Sequence, residues 1–409
     1  MIQVGLIGYG TVGSGVYERI HQSEELELLL GEPVEVKAIL VKDRQKQRAI
    51  HIPAIVTSEW EQFCEVAHYD VIFEAIGGIE SAYLYTKHWL QKGVPVITAN
   101  KKLVAEKGKE LEVLASNQHT YYGYEASVGG GIPIINALKG TLSATAISRV
   151  SGILNGTTNY VLTEMTEHNR LLAEALEDAR EKGYTESNPS EDLDGYDSWY
   201  KIRILSRLCF GEWPNGLQLI RQGISELEDW HVEAGEKFGF TIKLIGEAWK
   251  QGSSIVGGVY PAFLCQSEQL TYVNGVTNGI SIEGEQIDQL LFIGPGAGKG
   301  ATANSMIEDF LFHHRFGQWQ RSYSSSALLE HPYSHMLVCV THTQREKALQ
   351  WVKETGIEVL DTYTHHDGEG WIIANWNKGD LPYPHYPIYG DVSLRKRVKA
   401  LYSAQFGTI

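Results

Sequence analysis

The stretch IQVGLIGYGTVGSGVYERIHQ, residues 2–22, decides the fold. An apolar run leads into Gly8-Tyr9-Gly10-Thr11-Val12-Gly13, and apolar residues at helical spacing follow. A GxGxxG turn set between a strand and a helix suits a dinucleotide. Its glycines allow a tight turn, close approach of the backbone to a pyrophosphate and close helix–strand packing, while the helix start offers unpaired N–H groups. Gly8, Gly10, Thr11, Val12 and Gly13 are therefore the candidate pyrophosphate-binding residues. A glycine-rich turn without a ligand is the alternative, and the strand–turn–helix context weighs against it.

Working outward, VEVKAILV, DVIFEAIG and PVITANK alternate with helical patterns such as SAYLYTKHWLQKG. The runs VGLIG, KAILV, DVIFEAIG and VPVIT are apolar throughout, as strands covered on both faces must be. This predicts an α/β chain with a Rossmann-like, doubly wound parallel sheet. At the end of the second strand, LVKDRQKQR sets Lys42 and Arg44 where an NAD enzyme usually carries an acidic residue for the ribose 2′-OH. Basic side chains there favour a 2′-phosphate and hence NADP. Asp43 could serve the 2′-OH instead, so NAD stays open.

From about Glu125 the texture changes to Gly-rich turns and amphipathic stretches, marking a second, α+β region. Near Asn274–Gly300 an alternating strand pattern ends in a glycine cluster, and the helical ATANSMIEDFLFHH after it is placed to return to the first domain. The last stretch reads strand, helix, strand, strand. The expected organisation is a dinucleotide-binding domain over 1–125, with 298–325 returning to it, a substrate-binding and dimerisation domain over 126–297, and a small C-terminal module over 330–409.

The chain has 409 residues, 43% hydrophobic and 21% charged, a globular profile with room for two or three domains. A formal charge of −15 opposes the basic face that nucleic acid requires, so a small-molecule partner is expected. Cys64, Cys209, Cys265 and Cys339 form no CxxC pair and read as reduced thiols. The opening MIQVGLIGYG has no basic lead-in and no apolar run reaches about 18 residues, so a cytoplasmic location without membrane contact is expected.

Residues 183–201, GYTESNPSEDLDGYDSWYK, crowd five carboxylates ahead of one lysine. Aligned as an EF-hand loop on Gly195, the stretch puts Lys201 where the bidentate Glu must sit, and an ammonium there repels calcium. If the segment is helical, Asp197 and Lys201 at i,i+4 share a face, so the carboxylate can orient the ammonium. A positioned ammonium stabilises the charge that builds on an oxygen during hydride transfer to an aldehyde, and it can deliver a proton. An ordinary surface Asp–Lys pair is the bland alternative.

The motifs GYGTVG, EAIGG (74–78), TANKK (98–102), EASVGGGIP (125–133), GILNGTTNY (152–160), the acidic stretch and GPGAG (294–298) together resemble the homoserine dehydrogenase family over about three quarters of the chain. That resemblance implies reversible NAD(P)H-dependent reduction of aspartate 4-semialdehyde to homoserine. It implies Lys201 as general acid or base, Asp197 as its catalytic aspartate, and Lys101 between nicotinamide and substrate. Glu186, Asp192, Tyr184, Gly156 and Thr157 correspond to substrate-binding residues. Ile76, Thr98, Ala99, Lys101 and Gly298 correspond to residues beside the cofactor. A monovalent cation, Na or K, is implied on backbone carbonyls of Glu125, Val128, Gly130 and Ile132. A homodimer is expected, with GILNGTTNY and VNGVTNGISIEG as the shared surface.

The chain departs from the family at Asn188, where Asp usually precedes the proline, and at Trp199, where small residues are usual. Trp199 must therefore find packing on the outer or subunit-facing side of its helix. The C-terminal module resembles an ACT domain, a small ferredoxin-like sensor, only in part. VTHTQREKA lacks the usual effector-binding turn, and LPYPHYPIYG stands in place of a clear strand and helix, so dimerisation or packing is expected ahead of threonine feedback. His365, His366 and Asp367 read as a solvated loop, since no third ligand has metal-binding spacing. Two other functions compete: a dehydrogenase of another small amino-acid alcohol, and a non-catalytic dinucleotide sensor. The presence of Lys101, Asp197 and Lys201 together argues against the sensor.

Overall fold

The computed structural model describes residues 1–46, 48, 50, 54–66, 68–185, 188–214, 219–317, 333–374, 376 and 381–392. Strands β1 (Ile2–Ile7), β2 (Val34–Leu40), β3 (Ile55–Thr57), β4 (Val71–Glu74), β5 (Val96–Thr98) and β6 (Tyr122–Gly123) form one sheet in the order β3-β2-β1-β4-β5-β6. Every pairing in it is parallel. The four all-apolar runs are β1, β2, β4 and β5, and β4 is buried along its whole length. The order reverses between β1 and β4, the crevice where doubly wound sheets bind ligands.

The helix Lys299–Phe316 packs on the first helix of this sheet, Thr11–Gln22, where a Cβ on Gly15 would come within 2.9 Å of Ala303 Cβ. The Phe310 ring meets Phe73 of β4 edge-on. The helix thus covers one face of the parallel sheet although it lies far away in sequence.

The second sheet has ten strands: β7 (Ile147–Ile153), β8 (Leu219–Arg221), β9 (Thr241–Gln251), β10 (Ser254–Leu264), β11 (Thr277–Gly284), β12 (Asp288–Pro295), β13 (His335–Thr341), β14 (Glu358–Thr364), β15 (Gly368–Ala374) and β16 (His385–Tyr389). Its order is β12-β11-β7-β9-β10-β16-β13-β15-β14, with β8 on β10. The helix Tyr196–Phe210 lies against it, burying Ile202, Ile204, Leu205 and Leu208. Along its other side the same helix meets the helix Lys101–Asn117 through Arg203–Glu106 at 2.8 Å and Arg207–Glu112 at 2.9 Å. The two layers are therefore joined along one helix pair.

The C-terminal strands continue this sheet, because β16 pairs in parallel with β10 through Phe263–Ile388 and Leu264–Tyr389. Within the segment, the order β16-β13-β15-β14 is fourth, first, third, second, as in a ferredoxin-like sheet. A second helix of such a module would have to fall within 375–384, and the described residues there are not helical. The strand inside LPYPHYPIYG is not what the sequence suggested, since proline disfavours an inner strand. Pro387 is tolerated because β10 pairs only with the two residues after it, leaving its ring nitrogen no ladder bond to make on that side.

Candidate active site

The glycine turn has the form a dinucleotide needs. Gly8 adopts a φ of +99°, and a Cβ on Gly13 would lie 2.1 Å from the Gly8 carbonyl oxygen, so both positions demand glycine. Nothing lies within 4 Å of a Cβ on Gly10, and the helix it starts carries no side-chain cap. Open space in front of uncapped N–H groups of Thr11 and Val12 is a fitting seat for a phosphate. Gly8 packs against Ile76, and Gly298, with a φ of +118°, opens the returning helix. Lys42 and Arg44 are exposed on the loop after β2.

At the other end of the cleft, a three-group cluster forms where the layers meet. Gly195 in left-handed conformation starts the helix that carries Asp197 in its first turn and Lys201 one turn later. Lys201 Nζ donates to Asp197 Oδ2 at 2.7 Å and to the Leu154 carbonyl at 2.6 Å. Lys101, the first residue of its helix, reaches Asp197 Oδ1 at 2.7 Å. One carboxylate is held between two ammonium groups.

Burial shapes the charges. Asp197 is 4% exposed and Lys201 7%. Burial alone would raise the Asp197 carboxyl, but the ammonium groups of Lys201 and Lys101 hold it well below the usual carboxylate range. Burial pushes Lys201 below the ordinary lysine value, against the pull of Asp197, and the nearby charge of Lys101 adds to the depression. Lys101 is raised by Asp197. The buried lysine is thus the one tuned toward proton exchange.

Asp192 joins this cluster through Asn155, whose Nδ2 donates to Asp192 Oδ1 at 2.7 Å and Asp197 Oδ2 at 2.9 Å. Burial, then the Asp197 charge, raise the Asp192 carboxyl. Asn155 also caps the helix Gly156–His168, accepting from Thr158 N–H at 2.8 Å. Thr157 Oγ1 donates to the Tyr184 carbonyl at 2.8 Å, while the Tyr184 ring is 43% exposed and set edge-on to Tyr160. Glu186 lies outside the described residues. Asn155, the Leu154 carbonyl and Asn278, which donates to that carbonyl at 2.9 Å, were not singled out by sequence reasoning. An N-cap asparagine ahead of Gly-Thr-Thr was the available signal for Asn155.

The two departures have local explanations. Asn188 Oδ1 accepts from Ser190 N–H at 3.3 Å and from its hydroxyl, capping the turn that leads to Asp192. Trp199 packs within this chain, its indole 4.6 Å from the Arg203 guanidinium and its N–H 3.4 Å from the Leu219 carbonyl. In the C-terminal turn, His365 Nδ1 accepts the Asp367 N–H at 3.2 Å and Nε2 faces Glu233 at 3.4 Å, so both ring nitrogens have protein partners.

In the segment matching EASVGGGIP, the buried Glu125 carboxylate accepts the N–H groups of Ile135 at 2.9 Å and Asn136 at 2.5 Å. Burial, then Asp309, lift its carboxyl to about 8. The Gly130 carbonyl accepts from Ser305 Oγ at 2.5 Å, and the Ile132 carbonyl accepts from Ile134 N–H at 2.8 Å.

A phosphate seat at the switch point of a parallel sheet, together with a buried lysine–aspartate–lysine cluster where the two layers meet, is the arrangement of an oxidoreductase that uses a nicotinamide dinucleotide. Residues 8–125 match the family model for the homoserine dehydrogenase NAD binding domain, and residues 133–311 match that for homoserine dehydrogenase. The homoserine dehydrogenase of Bacillus subtilis is 38% identical over 312 residues, covering 76% of this chain and 72% of its own. That of Lactococcus lactis is 36% identical over 314 residues, covering 76% and 73%. The solved homoserine dehydrogenase of Thiobacillus denitrificans superposes with a TM-score of 0.84 at 26% identity, covering 96% of this chain and 98% of that one. A hyperthermophilic archaeal homoserine dehydrogenase in complex with NADPH gives a TM-score of 0.66 at 26% identity, over 78% of this chain and 99% of that one. The chain belongs to the homoserine dehydrogenase family, and its activity is oxidoreduction of a small molecule with a nicotinamide cofactor. Among the described residues, no helix is long and apolar enough to cross a membrane.

Proposed function

We propose that the chain interconverts L-homoserine and L-aspartate 4-semialdehyde with Lys201 as the proton-exchanging group. The observation that carries this is the buried Lys201 held at 2.7 Å by Asp197, itself paired with Lys101. Two of the three N–H bonds of the Lys201 ammonium go to Asp197 and Leu154, leaving one for a substrate oxygen. In oxidation, neutral Lys201 takes the proton of the 4-hydroxyl as C4 loses its hydride; in reduction, the ammonium returns it to the nascent alkoxide. A dinucleotide bound at Gly8–Gly13 supplies or accepts that hydride. Asp197 orients Lys201, and Lys101 holds Asp197 from the cofactor side. Asp192, Glu186, Thr157, Gly156 and the Tyr184 region receive the amino-acid end of the substrate.

Lys42 and Arg44 support NADP over NAD, because exposed cations beside the ribose favour a 2′-phosphate. Ile76, Thr98, Ala99 and Gly298 border the nicotinamide end. A monovalent cation on the carbonyls of Glu125, Val128, Gly130 and Ile132 follows from the family resemblance. The Gly130 and Ile132 carbonyls each retain a second lone pair for it. A cytoplasmic homodimer, organised as the three segments 1–125 with 298–325, 126–297 and 330–409, completes the reading. The test is oxidation of L-homoserine with NADP and NAD in parallel, with and without sodium or potassium, for wild type and Lys201→Met. Turnover abolished by the substitution supports the assignment; dinucleotide binding without homoserine oxidation by the wild type overturns it.

A further inference from the structure

Glu74 ends β4 at the carboxyl edge of the parallel sheet, 0% exposed, and among the described residues no cation pairs with it. An unpaired buried carboxyl is costly, so its retention calls for an account. Its two oxygens are used in different directions. Oε1 accepts the Ile76 N–H at 2.7 Å, and Oε2 accepts the Thr98 hydroxyl. Having donated to Glu74, the Thr98 hydroxyl accepts the Asn100 N–H at 2.9 Å. The Asn100 amide then donates to the carbonyls of Ile76 at 3.1 Å and Gly78 at 2.6 Å, while its oxygen caps the next helix at Leu103 N–H, 3.1 Å away. Lys101 is the residue after Asn100, and its ammonium is on Asp197.

We infer that Glu74 is a positioning residue for the reaction: it closes a hydrogen-bonded ring through Thr98 and Asn100 that fixes the loops after β4 and β5 and aims Lys101 at Asp197. The inference rests on the role proposed for Lys101. Direction is the essential feature of the ring. The carboxylate offers acceptors only, which forces the Thr98 hydroxyl to donate to it and so leaves that oxygen to accept from Asn100. A glutamine in its place cannot accept from both partners: with its NH₂ toward Thr98 the hydroxyl hydrogen loses its buried acceptor, and with its NH₂ toward Ile76 that group meets a backbone N–H donor, so the ring loses one buried hydrogen bond either way. Burial lifts the Glu74 carboxyl to about 7, against the lowering effect of its Thr98 and Ile76 hydrogen bonds, so the acceptor-only carboxylate that the ring needs prevails above neutral pH, where the comparison is made.

The experiment compares Glu74→Gln, Thr98→Val, the double variant and Lys101→Ala in homoserine oxidation, together with thermal midpoints and dinucleotide affinity. Loss of activity in Lys101→Ala, with an active wild type, keeps the underlying reading in place; retained activity there removes that reading without judging the ring. With it in place, Glu74→Gln should lower kcat at least tenfold at pH 8. Homoserine KM should stay within about threefold and the thermal midpoint near wild type. Thr98→Val should give a similar loss, and the double variant no more than the worse single one, because one ring is broken once. Should Glu74→Gln fail to fold, Thr98→Val alone decides. A kcat within threefold of wild type, a loss confined to dinucleotide affinity or thermal midpoint, or additive losses in the double variant overturn the inference.

Discussion

Lys101 Nζ and Asp197 Oδ1 meet at 2.7 Å across the junction of the two sheets, one residue at the start of a helix on the parallel layer and the other in the first turn of a helix on the mixed layer. This contact makes the site a property of the interface between layers. It also leaves the second oxygen of Asp197 for Lys201, so one buried carboxylate bridges ammonium groups from the two layers.

The direction of the Lys201 shift fixes the pH profile. Its pKa lies below the ordinary lysine value because burial disfavours the ammonium. Oxidation needs the neutral amine, so kcat/KM for homoserine should climb with pH and level off as pH passes the depressed lysine pKa. Reduction of the aldehyde needs the ammonium and should fall over the same range. Parallel pH–rate profiles in both directions check this; an oxidation rate independent of pH between 6 and 10 contradicts it.

Asn155→Ala removes the donor shared by Asp192 and Asp197 at 2.7 and 2.9 Å and also the cap of the helix Gly156–His168. Two carboxylates are then left closer to mutual repulsion. Homoserine KM should rise about tenfold, the order of one lost charge-assisted hydrogen bond, and stability should fall by about 1 kcal/mol from the lost cap. Steady-state kinetics and thermal unfolding separate the two effects. Wild-type KM with only reduced stability would limit Asn155 to capping.

The parallel sheet was legible because β1, β2, β4 and β5 are apolar on both faces and GYGTVG sits between strand and helix. That Asp197 and Lys201 share a helix face was legible through their i,i+4 spacing, but only the family resemblance lifted them above an ordinary surface pair. Asn155 was not, since its two carboxylate partners lie 37 and 42 residues away and nothing local announces such contacts. Glu74 was read as part of a motif, but its ring closes only once β4 and β5 are adjacent. The C-terminal strand β16 was hidden by Pro387, whose tolerance depends on its pairing with β10 beginning only at Ile388.

Lys42→Ala with Arg44→Ala tests cofactor choice. Both side chains are exposed on the loop after β2, so their removal leaves the core intact. The KM for NADP should rise at least tenfold, as expected for two lost phosphate contacts, while that for NAD changes less than threefold. Equal effects on both dinucleotides would assign the two residues to general electrostatic attraction.

Tyr389→Phe asks how firmly the C-terminal strand is tied to the catalytic layer. The Tyr389 hydroxyl donates at 2.6 Å to Glu247, a carboxylate 0% exposed on β9 that also receives Arg149 of β7 at 2.7 Å. Strand β7 leads directly into Leu154 and Asn155. Burial keeps the Tyr389 phenol neutral, so it remains a donor at every working pH. Losing one donor of several to a buried carboxylate should cost about 1–2 kcal/mol and lower the thermal midpoint by a few degrees. Glu247→Ala should cost more, about 3–5 kcal/mol, because it leaves Arg149, 12% exposed, with Glu283 alone. Thermal unfolding of the two variants checks the order. Equal midpoints for Tyr389→Phe and wild type would show that β16 is held by its backbone ladder and not through this carboxylate.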